Sequence, residues 1–174
     1  VRLWIGPALA LAALASAGWL CQIGGGSSMD HYDDGQIAFD YPGGWQTLEE
    51  IWGFASGVGV VDPNSRTPFE RYSVSFTVET WELPEGMTAS DLMAQHLEQT
   101  VIETFITDGW VTVDGVDAVE VIYQAYSGEP LWQVRELWLE QGGIVYVLTC
   151  KSFPDDYAGR EAEFDAIIAS FDVK

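Results

Sequence analysis

Three carboxylates and an imidazole fall together in Asp30-His31-Tyr32-Asp33-Asp34-Gly35, a donor set suited to a hard divalent cation such as calcium or manganese. Asp30, Asp33 and Asp34 are therefore the candidate metal ligands. The spacing departs from a calcium loop, because Tyr32 occupies a ligand place and Tyr41 stands where a closing bidentate acid belongs. A hydrated linker is the competing reading. Nucleophilic chemistry is thinly supplied elsewhere. Ser56 in Gly53-Phe54-Ala55-Ser56-Gly57 misses the nucleophile elbow by one place, and Gly57-Val58-Gly59 lacks the third glycine and following helix of a dinucleotide loop. His31 and His96 have no motif partner, and His96 reads as a polar residue at the margin of a helical stripe. Cys150 is in phase with Ile144, Tyr146 and Leu148, which makes it a buried thiol behaving as a small hydrophobe. With no catalytic motif assembled, the residues favour a non-enzymatic protein, and a carboxylate-based hydrolase is the alternative.

A second kind of chemistry is docking. Trp132 and Trp138 share one face of a strand with Val134, Glu136 and Glu140. If that face is open, Trp132, Glu136 and Trp138 form an acidic-aromatic surface for a basic protein, a cationic ligand or a sugar. If a helix covers it, the tryptophans are core. Two helices are available to cover it, which favours the second reading.

The elements that must position these residues centre on Trp110–Lys151. Asp114-Gly115, Ser127-Gly128-Glu129-Pro130 and Gln141-Gly142-Gly143 are turn sequences separating β-branched and aromatic runs, so the stretch predicts a four-stranded antiparallel meander. Gln36–Tyr41 predicts a short strand, and Arg71–Trp81 a strand with Tyr72, Val74, Phe76 and Val78 inward and Ser73, Ser75, Thr77 and Glu79 on a wet face. Thr88 with Asp91 is a capping-box start, and Met93, Leu97, Val101 and Phe105 recur every four residues, predicting a helix that Asp108-Gly109 ends. Tyr157, Phe164, Ile167, Ile168 and Phe171 predict a second helix to about Ser170. Residues 46–62 are mixed: Leu48, Ile51 and Trp52 fit a helical turn and Gly57–Val61 a strand. The sum is an α+β domain, an antiparallel sheet packed against two helices.

Residues 1–21 read as a signal peptide or membrane anchor, because Leu3–Leu20 is an uncharged run of eighteen behind Arg2. Three fates stay open. Ala15-Ser16-Ala17 suits ordinary cleavage, Cys21 stands where a bacterial lipoprotein carries its lipid, or the helix is retained. Each places the rest outside the cytoplasm, on the outer face of the cell membrane or in the envelope. Residues 22–35, with Gly24-Gly25-Gly26-Ser27-Ser28, read as a flexible tether, and residues 36–174 as one domain. The formal net charge of −20 makes nucleic acid an improbable partner and favours a basic protein; the membrane is reached through the N-terminal segment or a lipid on Cys21.

Gln36-Ile37-Ala38-Phe39-Asp40-Tyr41-Pro42-Gly43-Gly44-Trp45 resembles the opening strand and "YP-x-G-W" of the PsbP-like proteins, the fold of the extrinsic photosystem II subunit and of many bacterial envelope lipoproteins. Leu83-Pro84-Glu85-Gly86-Met87, Val113–Glu120 and Phe164–Phe171 are similar to later segments of that family, so the resemblance runs over about residues 32–173. It implies an antiparallel sheet between helices, an α/β/α sandwich, and a non-enzymatic accessory or binding role whose partner is unknown. It carries no metal site onto named positions, and a cation-binding surface module stands as a further alternative.

Overall fold

Asp114 and Gly115 adopt φ of 49° and 75°, and Gly142 and Gly143 adopt 64° and 80°; both pairs make the tight turns that join antiparallel strands with matching twist. The computed structural model describes residues 28–48, 57–68, 71–128 and 130–174. The uncharged run Leu3–Leu20, Cys21, residues 22–27 of the tether, Ile51, Trp52 and Ser56 lie outside the described residues.

The chain runs β1 (Met29–Asp33), β2 (Ile37–Pro42), β3 (Gln46–Leu48), β4 (Gly57–Val61), β5 (Ser75–Glu82), α1 (Ala89–Gln99), β6 (Ile102–Val113), β7 (Val116–Tyr126), β8 (Leu131–Gln141), β9 (Ile144–Ser152), α2 (Pro154–Ala169) and β10 (Asp172–Val173). Seven strands form one sheet in the order β3-β4-β5-β9-β8-β7-β6, every neighbour antiparallel. A small sheet, β1-β2-β10, is separate from it. The α+β layout predicted from turns and periodicity is therefore the fold.

The period-two alternation of β8 divides the interior in two. Leu137 and Leu139 point one way, toward α2 and the small sheet, where they join Phe76, Leu148, Phe164 and Ile167 in the main core. Phe39 of β2 meets Phe76 edge-on at 5.1 Å, which seats the small sheet on this face. Trp132, Val134, Glu136 and Trp138 point the other way, toward α1, with Leu92 and Val147 among their neighbours.

Four expectations change. The first helix stops at Gln99, where the Thr100 hydroxyl donates to the His96 carbonyl, and the chain re-enters the sheet at Ile102. Thr100, Val101, Ile102, Thr104, Ile106 and Thr107 are β-branched, and their preference for extended backbone outweighs a four-residue spacing that continues by coincidence through Val101 and Phe105. Asp108-Gly109 is consequently no helix end; it lies within β6, paired with Val121 and Glu120. Residues 29–33, read as tether, pair along β2 as β1. Glu79 is 9% exposed instead of wet, because it lies against Glu136 and His96 on the α1 side of the sheet.

Candidate functional site

Glu136 comes from the middle of β8, Tyr123 from the adjoining β7, His96 from α1 and Glu79 from β5. They meet beneath α1 because strand alternation turns each sheet residue to that face and the helix lies over β8. Glu136 is 4% exposed. Its Oε1 accepts from the Tyr123 hydroxyl at 2.8 Å and lies 3.3 Å from His96 Nε2, and its Oε2 accepts from the Trp138 indole N–H at 3.0 Å. The imidazole also packs on the Trp138 ring, centroids 5.4 Å apart.

Electrostatics follow from the burial. Glu79, desolvated and facing the charge of Glu136, has its carboxyl pushed up to about 7, against opposing help from Trp81 and His96. His96 is raised by its hydrogen bond to Glu136, which outweighs the cost of burying the cation. Tyr123 is raised far beyond the ordinary phenol range by burial and by Glu136. The cluster can therefore hold a proton near neutrality. Both oxygens of Glu136 are committed to donors, so it serves as a post that fixes Tyr123, Trp138 and α1.

The residues singled out in the sequence fall in three places. Trp132, Glu136 and Trp138 do share a face, but that face is closed: the tryptophans are 2% and 1% exposed, and the Lys151 ammonium sits 4.0 Å over the Trp132 ring. They are core, not a docking surface. Asp30, Asp33 and Asp34 do not converge as metal ligands. Asp30 accepts from the Gly44 N–H, Asp33 from Gly35, and Asp34 from Gln36 and Ile37, so each carboxylate closes local backbone instead. Among the described residues no group of three such side chains could hold a metal ion. His31 bonds Asp40 at 2.7 Å, and Cys150 is a buried free thiol whose proton burial holds on. Glu79, His96 and Glu136 were not legible as a group, since they come from three elements and only Glu136 stood out, as an acid among tryptophans.

The exposed apolar surface lies elsewhere, on β6. This twelve-residue strand is one edge of the large sheet, and the opposite edge, β3, has three residues. Trp110 is 70% exposed and Phe105 50%, with Val101 and Ile106 also exposed. Phe105 pairs with Tyr123 and Trp110 with Val119, so both rings stand on the α1 side, beside the covered cluster. Irregular register between Ile102 and Thr104 and between Phe105 and Thr107 gives way to regular pairing from Thr107 to Val113. The sequence places Trp110 in the first strand of the meander but Phe105 in a helical stripe, so it does not show that both rings stand on one long sheet edge.

A family profile described as PsbP-like protein matches residues 25–173. The chain belongs to the PsbP-like family. Its fold is similar to the solution structure of cyanobacterial PsbP (CyanoP) from Synechocystis sp. PCC 6803, with a TM-score of 0.60, 20% identity, and 88% of this chain and 97% of that chain covered. It is also similar to LpqN, described as involved in cell envelope biogenesis of Mycobacterium tuberculosis, with a TM-score of 0.59, 13% identity, and 84% and 91% covered. A Pseudomonas aeruginosa protein of unknown function, PA94, described as a putative regulator, gives 0.55, 19%, and 79% and 91%. No curated protein sequence matches the chain. These likenesses fix the PsbP-like fold and leave the activity to the residues.

Proposed function

We propose that this PsbP-like chain is an exported, envelope-tethered, non-enzymatic accessory protein that works by contact with a partner, and that β6 is its contact surface. PsbP-like proteins are generally non-enzymatic, and the fold supports an accessory role in general. The uncharged run Leu3–Leu20 supports export, and a lipid on Cys21 or the retained run supplies the tether. The net charge of −20 argues against nucleic acid as the partner.

The observation that carries the reading is the exposure of Trp110 and Phe105 on a long sheet edge. Large aromatics on an edge strand are a liability in a protein without a partner, and natural edges are usually shortened or charged. The test uses the intact chain in its host. A photo-crosslinking residue at position 110 should give a discrete adduct in the envelope fraction, whereas one at exposed Glu85 should not. Recovery of the chain in the cytosol with its leader intact would overturn export, and equal labelling from both positions would overturn β6 as the contact surface.

A further inference from the structure

We propose that the occupant of β6 is an extended, lysine- or arginine-rich segment of a partner protein, which adds to the sheet as an eighth strand along Thr107–Val113. This rests on the reading of β6 as the contact surface and says what it takes.

Backbone chemistry comes first. In an antiparallel sheet an edge strand pairs half of its N–H and C=O groups inward and presents the other half outward. The inward half of Thr107–Val113 is in regular register with Val116–Ile122 of β7, so the outward half is set at the regular spacing that another strand needs. The irregularities sit upstream, between Ile102 and Thr107, and leave this stretch clear. Side chains come second. Trp110 stands on the α1 face of the edge, an open indole for the stem or the cation of a basic residue.

Charge decides the kind of segment. No Lys or Arg occurs between Arg71 and Arg135, a stretch that includes β5, α1, β6 and β7. Glu103, Asp108, Asp114 and Asp117 are exposed on β6, its hairpin turn and the start of β7. Arg135, which reaches toward β7, is occupied by Glu120 at 2.7 Å and Asp165 at 2.5 Å. Lys174, the cation beside Asp114, is likewise held by Asp172 at 2.7 Å, so among the described residues the nearby cations are already paired and an acidic edge remains that selects a basic strand. It also disfavours a second copy of the chain, because β6 against β6 would bring two such sets of carboxylates together.

The test uses the full chain in zwitterionic detergent and a capped peptide of about ten residues alternating lysine and valine, long enough to cover the strip. Amide hydrogen exchange is followed residue by residue. Binding should be saturable and slow exchange in Asp108–Val113 by about tenfold. Trp110→Ser should weaken binding about tenfold. Asp108→Asn and added salt should each weaken it several-fold. The same peptide N-methylated along one backbone edge should not bind. Equal binding of the N-methylated peptide at β6 would overturn strand addition while leaving β6 a contact surface. Protection that rises with protein concentration and no peptide would make a second copy the occupant and overturn the basic segment. No saturable protection of β6 by the peptide would overturn the inference; failure also of the position-110 crosslink in cells would overturn the contact surface itself.

Discussion

On the side of the large sheet that faces α2, the cover is α2 together with β2 and its neighbours, and the contact is made by rings and aliphatic side chains that are almost wholly buried. Its arginines are paired with carboxylates: Arg135 with Glu120 and Asp165, and Arg160 with Asp62 at 2.7 Å and Glu163 at 3.0 Å. On the side that faces α1, one eleven-residue helix covers the sheet, and beneath it lie two carboxylates, a phenol and a single imidazole. The first face is a scaffold of packed apolar side chains with its arginines paired to carboxylates. The second spends some stability on a group whose charge depends on its surroundings. The difference teaches that the helix nearer the exposed β6 edge is held by an adjustable contact, and the helix farther from it by packing.

The largest effects should mark the scaffold face. Phe164→Ala, at a site with no exposure, should cost about 3–5 kcal/mol in urea unfolding, the transfer term plus a cavity that α2 cannot collapse into. Leu92→Ala on α1, at 9% exposure, should cost about 2 kcal/mol, since the shorter helix can settle. Equal costs would break the contrast between the two covers.

Next comes the post. Glu136→Ala should cost about 2–4 kcal/mol, because the Tyr123 hydroxyl and Trp138 indole lose their acceptor in a closed interior. Glu136→Gln keeps an acceptor and should cost less, and Tyr123→Phe in the Glu136→Ala background should recover part of the loss. A double-mutant cycle between positions 123 and 136 measures the coupling. A coupling near zero would show that the two groups do not share a bond.

Acidity sharpens the comparison further. Glu79 holds its proton up to about 7 in the folded chain, against an ordinary carboxyl value of 4.5, so the folded state binds more protons than the unfolded state in between. Stability from this group is fully present below 4.5 and is lost as pH rises through about 7. His96 acts in the same sense, since its folded value is raised above 6.5. Melting temperature should therefore fall between about pH 5 and 8. Glu79→Gln should flatten that fall. An undiminished slope in Glu79→Gln would remove the adjustable group from the α1 face.

What could be read from the sequence divides along the same line. The meander was legible because Asp114-Gly115 and Gly142-Gly143 carry their own conformational requirement, and α2 because its apolar spacing coincides with its burial. The α1–β6 junction was not, since Met93, Leu97, Val101 and Phe105 keep helical spacing across a change of backbone that only the β-branched run signals. β1 was hidden because a strand pairing with a strand nearby in sequence needs little hydrophobic pattern of its own. The acid cluster was hidden because a pair such as Glu79 and Glu136 is a property of register through β9 and β8, and no local spacing encodes that.

The smallest effect on stability is the one that separates contact from construction. Trp110 contributes a large ring at 70% exposure, so Trp110→Ala should change unfolding free energy by no more than about 0.5 kcal/mol, the range of ordinary surface substitutions. Trp138→Ala, the same change at 1% exposure beneath α1, should cost about 3–5 kcal/mol. Exposed Val101, Phe105, Ile106 and Trp110 gathered along one edge, with Trp110 adding nothing to folding, mark a surface for contact outside the chain. If Trp110→Ala instead destabilises the protein by more than about 1 kcal/mol, the ring supports its own sheet through Val119 and the edge needs no partner to account for it.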